Sequence, residues 1–265
     1  MALEIFLSLF FVFMFGTAVG SFLNVVIYRY NTGRTLLDRS GCFSCGKTLS
    51  PLELVPLVSF FIQRGRCRSC GSGISFQYPL VEFLSGLVFL FVGREALSAG
   101  NASLIPLLFE GLLYLSAGVL LLLISAYDLK HKIVPDFFVY LFVGVGALEF
   151  VFRYIGTAPL LPAGNITWDA LAGPLAALLF ASFWYFSDGR LMGLGDAKLA
   201  LGMGFFLGAE KMLSALLISF WAGGLVGIVL LFLRKKSFTM KSEIPFAPFL
   251  AAGTFLALLK DISIF

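Results

Sequence analysis

Two aspartates lie at the edges of apolar segments, where an ionisable side chain is costly and therefore points to function. Asp128 follows the apolar run 112–126, and Asp196 opens a later run in Gly193-Leu-Gly195-Asp196. The two glycines carry no Cβ, so a substrate strand or a helix can approach the backbone closely. Two adjacent carboxylates share a proton, and one activates water while the other donates to a carbonyl oxygen. Asp128 and Asp196 are therefore predicted to catalyse peptide hydrolysis without a covalent intermediate.

A structural interpretation of the same aspartates stays open. Asp128 and Asp196 are each followed two positions later by a lysine, Lys130 and Lys198. Acid–base pairs of this kind also occur at membrane interfaces without any catalytic role. The residues alone do not decide between the two interpretations.

The remaining candidates for hydrolysis are few. Asp136 follows Pro135 at the predicted start of a helix, where the helix dipole favours an acid. We therefore predict that Asp136 caps the helix rather than taking part in catalysis directly, and that it supports the peptidase site. Asp188 is predicted to be a solvated loop residue. His131 is the only histidine, and no nucleophile elbow or HExxH motif accompanies it. These absences disfavour serine, cysteine and zinc protease mechanisms.

All four cysteines form two CxxC pairs with 21 residues between them: Cys42, Cys45, Cys67 and Cys70. Two such turns bring four thiolates to one ion, which predicts a tetrahedral zinc site, and Gly46 and Gly71 suit the positive φ of these turns. Four thiolates leave no open position for water, so the zinc is predicted to be structural. Disulfides and a redox-active CxxC are the alternatives; a cytosolic location disfavours the first.

The composition indicates a membrane protein. Of 265 residues, 59% are hydrophobic and 13% are charged, and the mean hydropathy is +0.97. A span needs about 20 apolar residues to cross the hydrocarbon layer. Eight segments qualify: 3–27, 79–97, 102–126, 134–153, 166–187, 191–209, 212–233 and 245–264. We therefore predict an all-α polytopic membrane protein with about eight transmembrane helices and a small zinc-stapled loop domain between spans one and two.

The basic residues predict the orientation. With both termini outside, fifteen of the nineteen lysines and arginines lie on one side, which the positive-inside rule makes cytoplasmic. The other side holds Arg94, Arg153, Lys211 and Lys260. The predicted division is a first span (1–28), a cytoplasmic four-cysteine zinc module (29–78) and a membrane-embedded peptidase domain (79–265). The lipid bilayer is then a partner, whereas no free basic face supports nucleic-acid binding.

Five motifs in order resemble the type IV prepilin peptidases, which are GxGD intramembrane aspartyl proteases. They are Gly20 to Arg29, the two CxxC pairs with Arg64-Gly-Arg-Cys67-Arg, Tyr78-Pro-Leu-Val-Glu82, Asp128 with Val-Pro-Asp136, and Gly-Leu-Gly-Asp196-Ala-Lys198. This sequence departs from the family pattern at Phe43, where proline is usual, and at Ala247, where glycine is usual.

The resemblance implies a bacterial cytoplasmic-membrane peptidase of type IV pilus or type II secretion systems. Such an enzyme removes the basic leader of prepilins or pseudopilins at the cytoplasmic face, with Asp128 and Asp196 as catalytic residues. Many members also methylate the new N-terminus with S-adenosylmethionine. The positions that match this second activity are Gly65, Glu53 and Glu82, although pairing of the two glutamates with nearby arginines is an equal alternative.

A non-enzymatic scaffold or transporter with a zinc-dependent docking loop is the alternative function. Transport would require paired half-helices or charges crossing the membrane. The acids are expected to cluster at one face of the membrane instead, which disfavours transport. The oligomeric state is not predicted.

Overall fold

The computed structural model describes residues 2–98, 103–155, 160, 163–190, 192–232 and 244–259. Within these ranges the chain is helical, and its only β pairing consists of two isolated bridges. The all-α prediction is therefore confirmed. Parts of the predicted spans lie outside the described residues, at 102, 191, 233 and 260–264. The same holds for Arg234, Lys235, Lys236, Lys241 and Lys260.

The helices begin and end close to the edges of the apolar runs. The first part of the chain holds α1 (Ala2–Arg29), a short 3₁₀ turn (Pro51–Glu53), α2 (Val58–Ile62) and α3 (Gln77–Ser98). The rest holds α4 (Leu104–His131), α5 (Asp136–Tyr154), α6 (Ile166–Phe186), α7 (Leu194–Leu207), α8 (Ala209–Phe232) and α9 (Ala247–Leu258).

Five of the described helices are long and apolar enough to cross a membrane: α1, α4, α5, α6 and α8. Large apolar side chains on these helices are exposed, as Ile105 at 81% and Trp221 at 80% show. Exposure of this kind suits contact with lipid rather than water. The protein is a multi-pass membrane protein, and the predicted number of eight spans stays a prediction.

The chain forms two compact units, Met1–Ser98 and Ala99–Phe265. In the first unit α1 packs against α3, and the segment between them carries the cysteines. Gly20 lies at this crossing, and a Cβ there would lie 2.7 Å from the Glu82 Cα atom. The spacing of Gly16 and Gly20, G-x-x-x-G, is typical of closely packed membrane helices.

In the second unit α7 is surrounded by other helices. It packs mainly against α5 and α6 and also contacts α8 and α9, while α4 packs against α5 and α9. Leu199 and Met203 of α7 are fully buried, as are Phe142 of α5 and Leu250 of α9. The central helix of this unit is therefore also the one that begins with the Gly-Leu-Gly-Asp196 motif.

Candidate functional site

The two aspartates come from different helices of the second unit and are both buried. Asp128 lies in the last turn of α4 and is 4% exposed, and Asp196 lies in the first turn of α7 and is 6% exposed. Their carboxylates are close enough for their charges to interact. The structure thus brings together the two acids that the sequence singles out.

The two carboxylates differ in their hydrogen bonds. Asp128 Oδ2 accepts from the backbone N–H of Ala247 at 3.3 Å, at the start of α9. Ser125, one turn earlier in α4, donates its hydroxyl to the Ala247 carbonyl oxygen at 3.4 Å. Asp196 Oδ1, in contrast, is a buried oxygen without a hydrogen-bond partner. An unsatisfied buried oxygen is costly, and such atoms are found where a substrate or water completes the bonding.

Gly195 and Gly193 have different surroundings. A Cβ on Gly195 would lie 2.6 Å from the Val134 Cβ, so only glycine lets the start of α7 approach the segment before α5. A Cβ on Gly193 would have Asp196 Oδ2 as its nearest neighbour at 3.7 Å, an ordinary contact. Gly195 therefore serves helix packing, while Gly193 leaves open space beside the carboxylate.

Lys198 binds Asp136 and not Asp196. The Lys198 Nζ atom donates to Asp136 Oδ1 at 2.7 Å, and the Asp136 side chain is 60% exposed. Asp136 is the first residue of α5, directly after the N-cap residue Pro135, and its charge there suits the helix dipole. Asp188 lies in an exposed turn with a φ of 50°.

The acidic residues are not confined to one face, which corrects the argument made above against transport. Glu110 lies in the second turn of α4, 18 residues before Asp128 and thus about 27 Å away along the helix. Arg153 of α5 lies 3.6 Å from Glu149 and 3.8 Å from Asp169 of α6, and it also donates to the Phe206 carbonyl oxygen of α7. In the sequence, Arg153 was counted only as a charge of the outer side and its cluster with Glu149 and Asp169 was missed, although the i, i+4 spacing of Glu149 and Arg153 within an apolar span was a usable signal.

Four cysteine sulfurs converge in the first unit. The Sγ atoms of Cys42, Cys45, Cys67 and Cys70 all lie within 4.8 Å of one another. The two turns have the same backbone bonds: Gly46 N–H donates to Cys42 O, and Gly71 N–H to Cys67 O, both at 2.9 Å. Gly46 and Gly71 both have a φ of 71°, as expected.

The chemistry of these sulfurs suits a metal. Hydrogen bonds from the Cys45 backbone N–H and the Ser72 hydroxyl lower the pKa of the Cys42 thiol to about 6. The Lys47 backbone N–H acts in the same direction on Cys45, but the hydrogen bond with Cys42 and burial raise the pKa of Cys45 to about 11, so of these two thiols Cys42 ionises first. Thiolate is the form that binds metal, and four of them within this distance fit a tetrahedral ion. All four are free thiols rather than disulfides.

A cavity of about 630 Å³ lies beside the cysteines, entirely within the first unit. Its lining includes both glutamates, Glu53 and Glu82, each 7% exposed. Glu53 accepts from the Ser50 N–H and hydroxyl, both at 2.9 Å, which holds its pKa below the ordinary value, and it lies 3.8 Å from Lys47. Glu53 is thus bound into a local turn.

Glu82 and Gly65 have other settings. Glu82 of α3 accepts the Leu57 N–H at 2.7 Å. Gly65, with a φ of 66°, lies behind the cavity wall, where its Cβ would be 3.1 Å from the ring of Phe60. Two of the three predicted methyl-transfer residues therefore line one cavity, and Gly65 supports an aromatic ring of that cavity.

The class of protein defined by these features is a multi-pass helical membrane protein with a buried carboxylate pair and a cluster of four cysteines. Residues 14–95 match the model of the bacterial peptidase A24 N-terminal domain, and residues 115–228 match that of the type IV leader peptidase family. The chain belongs to the type IV leader peptidase family.

Curated relatives extend over nearly the whole chain. A prepilin leader peptidase/N-methyltransferase of Bacillus subtilis is 30% identical over 254 residues, which cover 95% of this chain and 94% of the relative. A protein of the same name from Aeromonas salmonicida is 32% identical, and the match covers 96% of this chain and 91% of the relative. One from Burkholderia pseudomallei is 33% identical, and the match covers 93% of this chain and 84% of the relative. No solved structure matches the chain. The family resemblance drawn from the motifs is confirmed, and the scaffold or transporter alternative is not favoured.

Proposed function

We propose that this protein is a membrane aspartyl peptidase that removes the basic leader of type IV prepilins or pseudopilins and then methylates the new N-terminus. The observation that carries the peptidase function is the pair of buried carboxylates from α4 and α7, close enough to interact. The shared name of the curated relatives supports both activities.

The proposed hydrolysis uses Asp128 and Asp196 as one unit. A proton shared by the two acids leaves one carboxylate to take a proton from water and one carboxylic acid to donate to the scissile carbonyl. The Ala247 N–H fixes Asp128 Oδ2, and the unpartnered Asp196 Oδ1 is the oxygen available to water. Water adds to the carbonyl carbon, and collapse breaks the C–N bond as the leaving amine takes up a proton. Gly193, Gly195, Lys198 and Asp136 are supporting residues of this site.

The proposed orientation follows from charge. With the basic residues counted above on the cytoplasmic side, Asp128, Asp196 and the cysteine segment all lie there, and both termini lie outside. A prepilin with a basic leader obeys the same rule, so its cleavage site reaches the same face of the bacterial inner membrane.

The second activity is proposed for the cavity of the first unit. S-adenosylmethionine supplies an electrophilic methyl group when bound. The cavity volume of about 630 Å³ suits a ligand of that size, and Asn24, whose buried Oδ1 has no hydrogen-bond partner, is one of its lining residues. Cys42, Cys45, Cys67 and Cys70 would hold a structural zinc that fixes the cavity wall formed by Cys42 and Cys67.

Mass spectrometry of the N-terminus of a co-expressed prepilin tests both activities at once. Removal of the basic leader, together with one added methyl group on the new N-terminus, is the expected result. A prepilin that keeps its leader would contradict the peptidase proposal, and a cleaved but unmethylated pilin would contradict the methyltransferase proposal alone.

A further inference from the structure

The cavity of the first unit has a polar floor where α1 and α3 cross. Asn24 is 1% exposed, and its amide nitrogen donates to the Tyr78 carbonyl oxygen at 3.2 Å. A carbonyl can only accept, so the nitrogen must be the atom on that side, which leaves Oδ1 as the atom without a partner. Beside Asn24, the lining also includes Glu82 and Ser21.

The unpaired groups of this floor accept hydrogen bonds, so a ligand group that donates several hydrogen bonds would fit it best. An amide oxygen and a carboxylate accept hydrogen bonds, whereas an ammonium group offers three donors and no acceptor. A carboxylate as buried as that of Glu82 is also stabilised by a positive charge. A primary ammonium group satisfies both requirements at once.

Two of the three arginines of the lining, Arg29 and Arg34, do not supply that charge. Arg29 donates to the carbonyl oxygens of Thr35, Leu36 and Asp38 at 2.9, 3.2 and 2.7 Å, which organises the loop after α1. Arg34 lies over the Phe43 ring, 5.7 Å from its centroid. Both guanidinium groups are thus engaged away from Glu82.

Aromatic rings form the wall next to the floor. The rings of Tyr28 and Tyr78 stack with their centroids 5.0 Å apart, and Phe43 lies 5.4 Å from Tyr28. Faces of aromatic rings attract cations and stack on planar groups. The cavity therefore combines a polar floor with an aromatic wall.

We propose that Asn24 and Glu82 form an ammonium subsite of this cavity. The inference rests on the methyl transfer proposed above. That reaction brings together two primary amines, the amino-acid end of the methyl donor and the new N-terminus of the processed pilin. The subsite would recognise the same ammonium group in either molecule, and the experiment below shows which of the two it binds.

The test uses the purified full-length protein in phospholipid vesicles with two readouts. Calorimetry measures the affinity for S-adenosylmethionine, and mass spectrometry measures methylation per cleaved pilin together with the KM for cleaved pilin. N24L removes the amide acceptor, and E82Q removes the charge while it keeps an acceptor for the Leu57 N–H. Each variant is expected to raise either the Kd for S-adenosylmethionine or the KM for cleaved pilin by about tenfold or more. A hydrogen bond to a charged group has about this effect on affinity.

The pattern of loss identifies the amine. Weaker binding of S-adenosylmethionine assigns the subsite to the donor, whereas unchanged donor affinity with a raised KM for cleaved pilin assigns it to the pilin terminus. S85A removes a buried, unpartnered hydroxyl of α3 outside the proposed subsite and is the matched control, with no change expected.

Wild-type values for both readouts in N24L and E82Q would overturn the subsite. A wild-type protein that cleaves prepilin but neither binds S-adenosylmethionine nor methylates would overturn the methyltransferase proposal instead. Scoring methylation per cleaved pilin separates loss of the subsite from poor folding.

Discussion

The two candidate sites of this protein are built in opposite ways. In the second unit the Asp128 carboxylate is fixed by a residue 119 positions away in sequence, and Lys198 binds a residue 62 positions away. In the first unit each half of the cysteine cluster is a turn of a few residues, closed by the hydrogen bonds of Gly46 and Gly71. The aspartate site therefore depends on helix packing, and the cysteine site on local turns and a shared ion. A change in one should leave the other intact.

Replacement of either aspartate should give the largest difference between the two sites. D128A and D196A are each expected to reduce cleavage of a reconstituted prepilin by about 10³-fold or more, because acid–base groups contribute about 10²–10⁴-fold. Zinc content should stay at the wild-type level. Cleavage rates and metal analysis of the same samples check this. D188N, in an exposed turn, is the control. Cleavage retained in either alanine variant would remove that residue from the mechanism.

Loss of a cysteine should produce the reverse pattern. C42S and C67S are expected to lose the zinc, about one per chain in the wild type, because three thiolates hold the ion far less tightly. Methylation should fall with it, while cleavage by the aspartate pair persists. Metal analysis and pilin mass spectrometry measure both, with S69A in the second turn as the control. Iron in the purified protein, or disulfide-bonded cysteines, would show the zinc assignment to be wrong.

The two glycines of the Gly-Leu-Gly-Asp196 motif should behave differently. G195A places a Cβ 2.6 Å from the Val134 Cβ and should shift the start of α7, which lowers cleavage about 10²-fold for a displacement near 1 Å. G193A meets only an ordinary contact and should stay within about twofold of wild type. Recovery of cleavage in the double variant V134G/G195A would identify the cause as steric. A large rise in KM for G193A would instead indicate substrate contact.

The smallest change is expected at Asp136. D136N breaks the ion pair between Asp136 and Lys198. The Asp136 side chain is 60% exposed, and exposed ion pairs contribute about 0–1 kcal/mol to stability. Cleavage should stay within about threefold of wild type in initial-rate assays. Complete loss of cleavage would show that Asp136, and not only the buried pair, belongs to the chemistry.

The sequence predicts the features that depend on local pattern. Apolar runs of about 20 residues locate the long helices because a buried or lipid-facing helix needs such a run. The CxxC spacing predicts the convergence of the cysteines within each turn. The pairing of Lys198 with Asp136, in contrast, depends on how α5 and α7 pack, and local spacing had suggested Asp196 as the partner.

The features that sequence could not supply arise from tertiary contacts. Nothing in Pro245-Phe-Ala247-Pro248 predicts that the Ala247 N–H donates to Asp128, because a backbone donor carries no side-chain signal. The floor of the cavity needs Asn24 and Glu82 together, and they meet only because Gly20 lets α1 approach α3. The cluster of Arg153, Glu149 and Asp169 was visible in part and was overlooked.

The length of α7 has a consequence for the depth of the carboxylate pair. Its 14 residues span about 21 Å, against a hydrocarbon layer of about 30 Å. The Arg153 cluster ties its far end to α5 and α6. Because other helices surround α7, the missing length is made up by protein and not by lipid. The depth of Asp196 is therefore set by the packing of α7 against its neighbours and should not follow the thickness of the membrane.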